Sequence, residues 1–154
     1  TGVPLDQGFA VTGSMNQAGE VQPIGGVNEK IEGFYEICKA KGLTGTQGVI
    51  IPRRNVRNLM LKKEVIEAVR EGKFAIYPIE HMDDGLEILT GMSAGERGVD
   101  GSFPEGTLNY LAEKRLSELA RGLKEFGKPP VEPKKGASNN NALPVGEGGE
   151  KKKG

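Results

Sequence analysis

The sequence predicts an α/β (α+β) fold, a mixed sheet with packed helices, and three observations carry that prediction. Short apolar runs at 48–52 and 74–79 read as buried strands, amphipathic helical patterns alternate with them, and glycines or prolines mark the joints. A chain of 154 residues suffices for one domain with a core and is short for two. The expected division is a folded part over 1–126 and a disordered tail over 127–154, where "GKPPVEPKKGASNNNALPVGEGGEKKKG" holds few large apolar residues.

The elements follow in order. "GFAVTGSM" (8–15) and "EVQPIG" (20–25) flank "NQAG", an Asn/Gly connection suited to an antiparallel N-terminal hairpin. Asn28 can cap a helix in which Ile31, Phe34, Tyr35 and Cys38 share one side, with Glu29, Glu32, Glu36 and Lys39 opposite; it ends before Gly42. "GVIIP" (48–52) is a buried strand stopped by Pro52, and "KKEVIEAVREG" (62–72) a helix with Gly72 as its stop signal. "FAIYPI" (74–79) is a further strand, and "MDDGLEILTG" (82–91) a short helix that Asp83 or Asp84 can cap. After a glycine-rich connection over 92–104, Leu108, Leu111, Leu116, Leu119 and Leu123 mark a C-terminal amphipathic helix. Strand and helix alternate from Glu20 onward, which favours parallel pairing with crossover helices.

Composition narrows the functions. Twenty-one basic and 21 acidic residues cancel, so no net field recommends nucleic acid or an anionic membrane as partner. The single cysteine, Cys38, excludes an internal disulfide, no Cys/His cluster has metal-ligand spacing, and no apolar run has membrane-spanning length. These features suggest a reducing, cytoplasmic setting. The first residues, "TGVPLDQGFAVTG", have neither signal-peptide character nor an initiator methionine, so the chain reads as a fragment or a processed piece.

"PIGGVNEK" (23–30) carries the chemistry. At about 100° per residue, Lys30 projects between Phe34 and Ile37, on the apolar side of its helix. Burial and the positive end of the helix dipole both disfavour the charged form of an amine there, and a neutral amine is a usable general base. Gly25 and Gly26 lack a Cβ and let another chain approach the backbone, so the segment reads as an active-site rim. The plainer interpretation is a lysine that snorkels into water beside a glycine turn.

"PIGGVNEK" resembles, position by position, the Pro-Ile-Gly-Gly-x-x-Glu-Lys segment in the proteolytic domain of Lon-type ATP-dependent proteases. "AVTGSMNQAGEVQPIGG" upstream, and "GVIIPRRNVRNL" and "FAIYPIEHMDDGLEILTG" downstream, extend the resemblance over about residues 3–91. It implies that Lys30 is the lysine of a Ser-Lys dyad and that Thr12 holds it by a hydrogen bond. Ser14 stands where many family members have glutamate, which leaves an acidic contact there in doubt. The resemblance makes the chain the C-terminal portion of the proteolytic domain of an ATP-dependent serine endopeptidase that degrades unfolded proteins. It further implies a ring-shaped homo-oligomer, a hexamer, and ATP with magnesium in a separate ATPase module.

The family's nucleophile lies in a segment upstream of the lysine, beyond the first residue of this chain, so the piece alone is expected to be inactive. Ser14 lies in the hairpin without the expected flanks, and Ser93, Ser102, Ser117 and Ser138 read as turn or surface residues. No G-x-x-x-x-G-K-[ST] phosphate loop occurs in the sequence, so no cofactor is expected in this chain and no metal. His81 beside Asp83 and Asp84 fits a helix start better than a base or ligand, Arg53, Arg54 and Arg57 fit a surface cluster, and Cys38 fits the core. Two rivals are a non-catalytic α/β interaction module on the same scaffold and an acyl-transfer enzyme using Ser14 with Lys30. Missing upstream strands would leave apolar edges exposed and the isolated piece prone to aggregate.

Overall fold

The computed structural model describes residues 1–127. Its elements are β1 (Phe9–Val11), β2 (Ser14–Met15), β3 (Val21–Gln22), α1 (Val27–Lys41), β4 (Gly48–Pro52), a 3₁₀ turn (Arg53–Asn58), α2 (Lys63–Arg70), β5 (Ala75–Ile79), α3 (Met82–Thr90) and α4 (Leu108–Phe126). Strands β1, β4 and β5 form a parallel sheet in that order, while β2 and β3 make a separate antiparallel ribbon. This is the α/β fold expected.

β4 is the central strand, and all five of its residues are buried, which accounts for its unbroken apolar run. Both crossovers move the same way across the sheet, and right-handed connections then put both helices on one face. One core cluster accordingly joins Ile31, Tyr35 and Cys38 of α1, Val49 and Ile51 of β4, Val65 and Ala68 of α2, and Phe74. Tyr35 meets Phe74 edge-on, with ring centroids 5.4 Å apart. Each fully buried large apolar side chain here contributes about 1.5–3 kcal/mol.

The expected first strand over 8–15 is divided. Phe9–Val11 joins the parallel sheet beside β4, and only Ser14–Met15 enters the hairpin, with Ser14 opposite Gln22 and Met15 opposite Val21. Thr12 and Gly13 connect the two pairings and belong to neither strand, and Thr12 and Ser14 line one hollow. The hairpin is seated on the β5–α3 junction: Val21 N–H donates to Glu80 O at 2.8 Å and Met82 N–H to Gly19 O at 2.9 Å.

Two caps also differ from expectation. Gly26 precedes α1 with φ 68°, a left-handed conformation suited to glycine, and no side chain caps the helix. Asn28 instead accepts from Met60 N–H at 3.0 Å. His81 caps α3 through Nδ1, which accepts from Asp83 N–H, while Asp84 at the third helical position accepts from His81 N–H at 3.0 Å.

The first turns of α4 are anchored by Leu108 N–H to Ser93 O and Asn109 N–H to Ala94 O, both 3.0 Å. Beyond Ala112 the helix is exposed, including Leu116, Leu119, Leu123 and Phe126. All but the first residue of the expected tail, 128–154, lies outside the described residues.

Candidate active site

The four expected site residues lie at the carboxyl end of the parallel sheet, where open α/β sheets bind ligands. Thr12 follows β1 directly, and its N–H donates to Ile50 O at 3.0 Å, which extends the β1–β4 ladder by one residue. Ala10, two residues earlier, packs against the core under α1. Thr12 also lines an apolar hollow of about 210 Å³ with Val11, Met15, Ile79, Met82 and Leu86.

Gly25 and Gly26 are both exposed. A Cβ on Gly25 would meet nothing within 4 Å, and one on Gly26 only the Glu29 carboxylate at 3.7 Å. The backbone is therefore open to approach from outside at the start of α1, as a rim would be. Gly26 is required by its φ, whereas nothing among the described residues requires Gly25.

Lys30 sits in the first turn of α1, its N–H bonded to Gly26 O at 3.2 Å. Its side chain is exposed, and among the described residues its ammonium makes no ion pair and no hydrogen bond, Thr12 included. The sequence-based expectation of a buried lysine is thus corrected. The physical reason is that its apolar flank has little cover among the described residues: Ile37, one helical repeat further on, is 54 % exposed. The buried face of α1 is formed by Val27, Ile31, Tyr35 and Cys38, next to Lys30 and not around it.

Asn55, bonded to the residue before Gly25, is a feature beside these residues that the sequence did not reveal. It is the only buried polar side chain among the described residues, 4 % exposed, in the turn after β4. Its Oδ1 accepts from Ile24 N–H at 3.0 Å and its Nδ2 donates to Ile24 O at 2.9 Å, a paired bond that replaces a strand neighbour. A lone asparagine after "PRR" has no periodic signal to mark it.

The remaining candidates resolve as structure. Ser14 Oγ donates to Gln22 Oε1 at 3.4 Å across the ribbon. Arg53, Arg54 and Arg57 are exposed on the 3₁₀ turn, with Arg53 Nε 2.9 Å from Glu80 Oε1. Cys38 is buried, and burial pushes its thiol above the ordinary value, opposed by the charge of Lys41. Among the described residues no group of three or more His, Cys, Asp or Glu could hold a metal ion, and no helix is long and apolar enough to cross a membrane.

Comparison with known proteins gives this arrangement its class. Residues 1–91 match the family model described as the Lon protease (S16) C-terminal proteolytic domain, so the class is that of a protease domain. The chain belongs to the Lon protease family. It is 52 % identical over 119 residues to a Lon protease homolog of Escherichia coli (strain K12), covering 77 % of this chain and 19 % of that protein. A homolog of Haemophilus influenzae is 43 % identical over 118 residues, 77 % of this chain and 20 % of the relative. The archaeal Lon protease of Archaeoglobus fulgidus is 37 % identical over 86 residues, 56 % of this chain and 12 % of its own length. The chain thus spans about a fifth or less of these relatives' length.

Proposed function

We propose that this chain supplies the lysine half of a Ser-Lys dyad in a Lon-type serine endopeptidase that cleaves unfolded proteins. Lys30 is the general base, Thr12 holds its amine, and Gly25 and Gly26 form the rim against which substrate backbone lies. The nucleophilic serine comes from a segment outside this chain, so the piece alone is inactive. The single observation that carries this reading is the exposed face of α1, where among the described residues Lys30 is unpaired beside the open Gly25–Gly26 backbone and near exposed Ile37.

In water a lysine is a cation and a poor base. A segment laid over Lys30 and Ile37 removes the amine from water, which disfavours its charged form. The serine hydroxyl then passes its proton to Lys30 Nζ as Oγ attacks the peptide carbonyl carbon. Collapse of the tetrahedral intermediate breaks the C–N bond, and Nζ returns the proton to the leaving amine. Water hydrolyses the resulting ester by the same proton route in reverse.

The remainder of the reading concerns the longer protein: a cytoplasmic homo-oligomeric ring, hexameric, fed by an ATPase module that uses ATP and magnesium. No residue of this chain is assigned to nucleotide or metal. The rival, a non-catalytic interaction module, draws on the lack of a Thr12–Lys30 hydrogen bond.

Peptide hydrolysis by three proteins decides between them: the chain alone, the chain extended upstream through the expected serine, and that extended protein with Lys30→Ala. Activity in the extended form only, abolished by Lys30→Ala, is the expected result. A folded but inactive extended form favours the interaction module. Activity of the chain alone points to Ser14, which a serine-directed fluorophosphonate would then label.

A further inference from the structure

We infer that Asn55 is a positioning residue for the site, the anchor of a strap over residues 55–62 that fixes the PIGG segment and the first two turns of α1 so that Lys30 is presented outward. This inference rests on the reading of Lys30 as the base.

Four hydrogen bonds build the strap. Asn55 pairs with both backbone groups of Ile24 at 3.0 and 2.9 Å. Asn28 Oδ1 accepts from Met60 N–H at 3.0 Å, and Glu32 Oε1 from Lys62 N–H at 2.9 Å, with the Lys62 ammonium 3.6 Å from the same carboxylate. Asn28 and Glu32 stand two residues before and after Lys30, which on a helix is about 200° round the axis. The strap therefore grips one flank of α1, the core holds the adjacent face through Val27 and Ile31, and Lys30 is left on the exposed flank, without a partner among the described residues.

Asn55 is the member that cannot be replaced by water. At 4 % exposure its amide is desolvated, so losing it leaves the Ile24 N–H and C=O unpaired. Ile24 directly precedes Gly25 and Gly26, which have no side chains to hold them, and α1 has no side-chain cap. The Asn55 pair is thus the hold on the backbone just before the two glycines, while Val27, Asn28, Ile31 and Glu32 hold the helix after them. A nucleophile and base must meet within hydrogen-bond reach, and a misplacement of about 1 Å costs on the order of 100-fold in rate.

The test uses the longest natural polypeptide containing this chain and compares peptide hydrolysis by wild type, Lys30→Ala, Asn55→Ala and a core control, Val65→Ala. The expected result is that Lys30→Ala is inactive, Asn55→Ala loses roughly 10- to 100-fold in kcat with KM little changed, and Val65→Ala lowers the melting temperature without lowering kcat. Amide exchange at Ile24 should accelerate in Asn55→Ala and not in Val65→Ala. Should Asn55→Ala not fold, Asn55→Asp keeps the volume and the acceptor for Ile24 N–H, and its kcat is read instead. A folded Asn55 variant with wild-type kcat, beside an inactive Lys30→Ala, overturns the positioning role alone. Full activity of Lys30→Ala overturns the dyad reading and this inference with it.

Discussion

Gly19 lies directly under the His81 ring, where a Cβ on the glycine would stand 2.6 Å from Nε2. The same Nε2 is 3.0 Å from Ala18 O, and Nδ1 accepts from Asp83 N–H, so the neutral imidazole with its proton on Nε2 satisfies both partners. One histidine thus caps α3 and seats the hairpin. Gly19→Ala should cost about 1–3 kcal/mol, since it also forces φ 82° on a residue with a side chain. Urea denaturation of Gly19→Ala in wild-type and His81→Ala backgrounds checks this: removing the ring should make the alanine cheaper, and strictly additive effects would contradict the contact.

Ile31 joins α1 to the sheet with no exposure. Truncating it to alanine removes apolar burial and leaves a cavity, for an expected loss of about 2–5 kcal/mol. A shift in urea midpoint equivalent to under 1 kcal/mol would mean that α1 is not seated as described.

Lys30→Ala should do almost nothing to stability, within about 0.5 kcal/mol, because the side chain is exposed and unpaired among the described residues. Equal melting temperatures for the two proteins make any loss of hydrolysis a statement about chemistry. A large destabilisation would show that the amine has a structural partner.

Lys39 Nζ is 2.6 Å from Glu64 Oε2. The hydrogen bond from Lys39, then its charge, holds Glu64 below the ordinary carboxylate range, and the same bond holds Lys39 above the ordinary lysine range. A depressed carboxylate stabilises above its unfolded range and gives that up as pH falls through its folded value. A raised lysine stabilises below its unfolded range and loses that as pH rises through its folded value. The pair therefore helps across neutral pH and fails first on the acid side. Both side chains are close to half exposed, so the effect is small and salt-sensitive. In Glu64→Gln, thermal midpoints should fall less steeply below about pH 4; an unchanged acid limb would remove the pair from the account.

Cys38 is 4 % exposed and its thiol is pushed up by burial, so it should react with a thiol reagent only through opening of the fold. Labelling under native conditions should be roughly 1,000-fold or more slower than in urea. Rapid native labelling would place α1 loosely on its core.

Much of this was legible beforehand. The runs "GVIIP" and "FAIYPI" are strands, the helix of Tyr35 and Cys38 packs on that face, and Gly91 closes α3 with φ 67°. Capping preferences point to Asp83 or Asp84 at the start of α3, whereas histidine, a rare cap, holds that place and Asp84 completes the box. Asn28 has the right chemistry for a cap, yet Gly26 takes that place and leaves the amide free to reach Met60.

By itself the sequence determined the helices and the strands of the "GVIIP" and "FAIYPI" runs, because periodicity and turn chemistry are local, and the letters of "PIGGVNEK" carried the family resemblance. Tertiary structure alone decided the division of the first strand at Thr12–Gly13, the exposure of Lys30 and the pairing of Asn55 with Ile24. Helical spacing states that Lys30, Phe34 and Ile37 lie together, but not whether anything covers them. The Asn55 clamp joins residues 31 positions apart, and whether a polar side chain is buried against such a partner depends on how the sheet and helices stack, which no local pattern encodes.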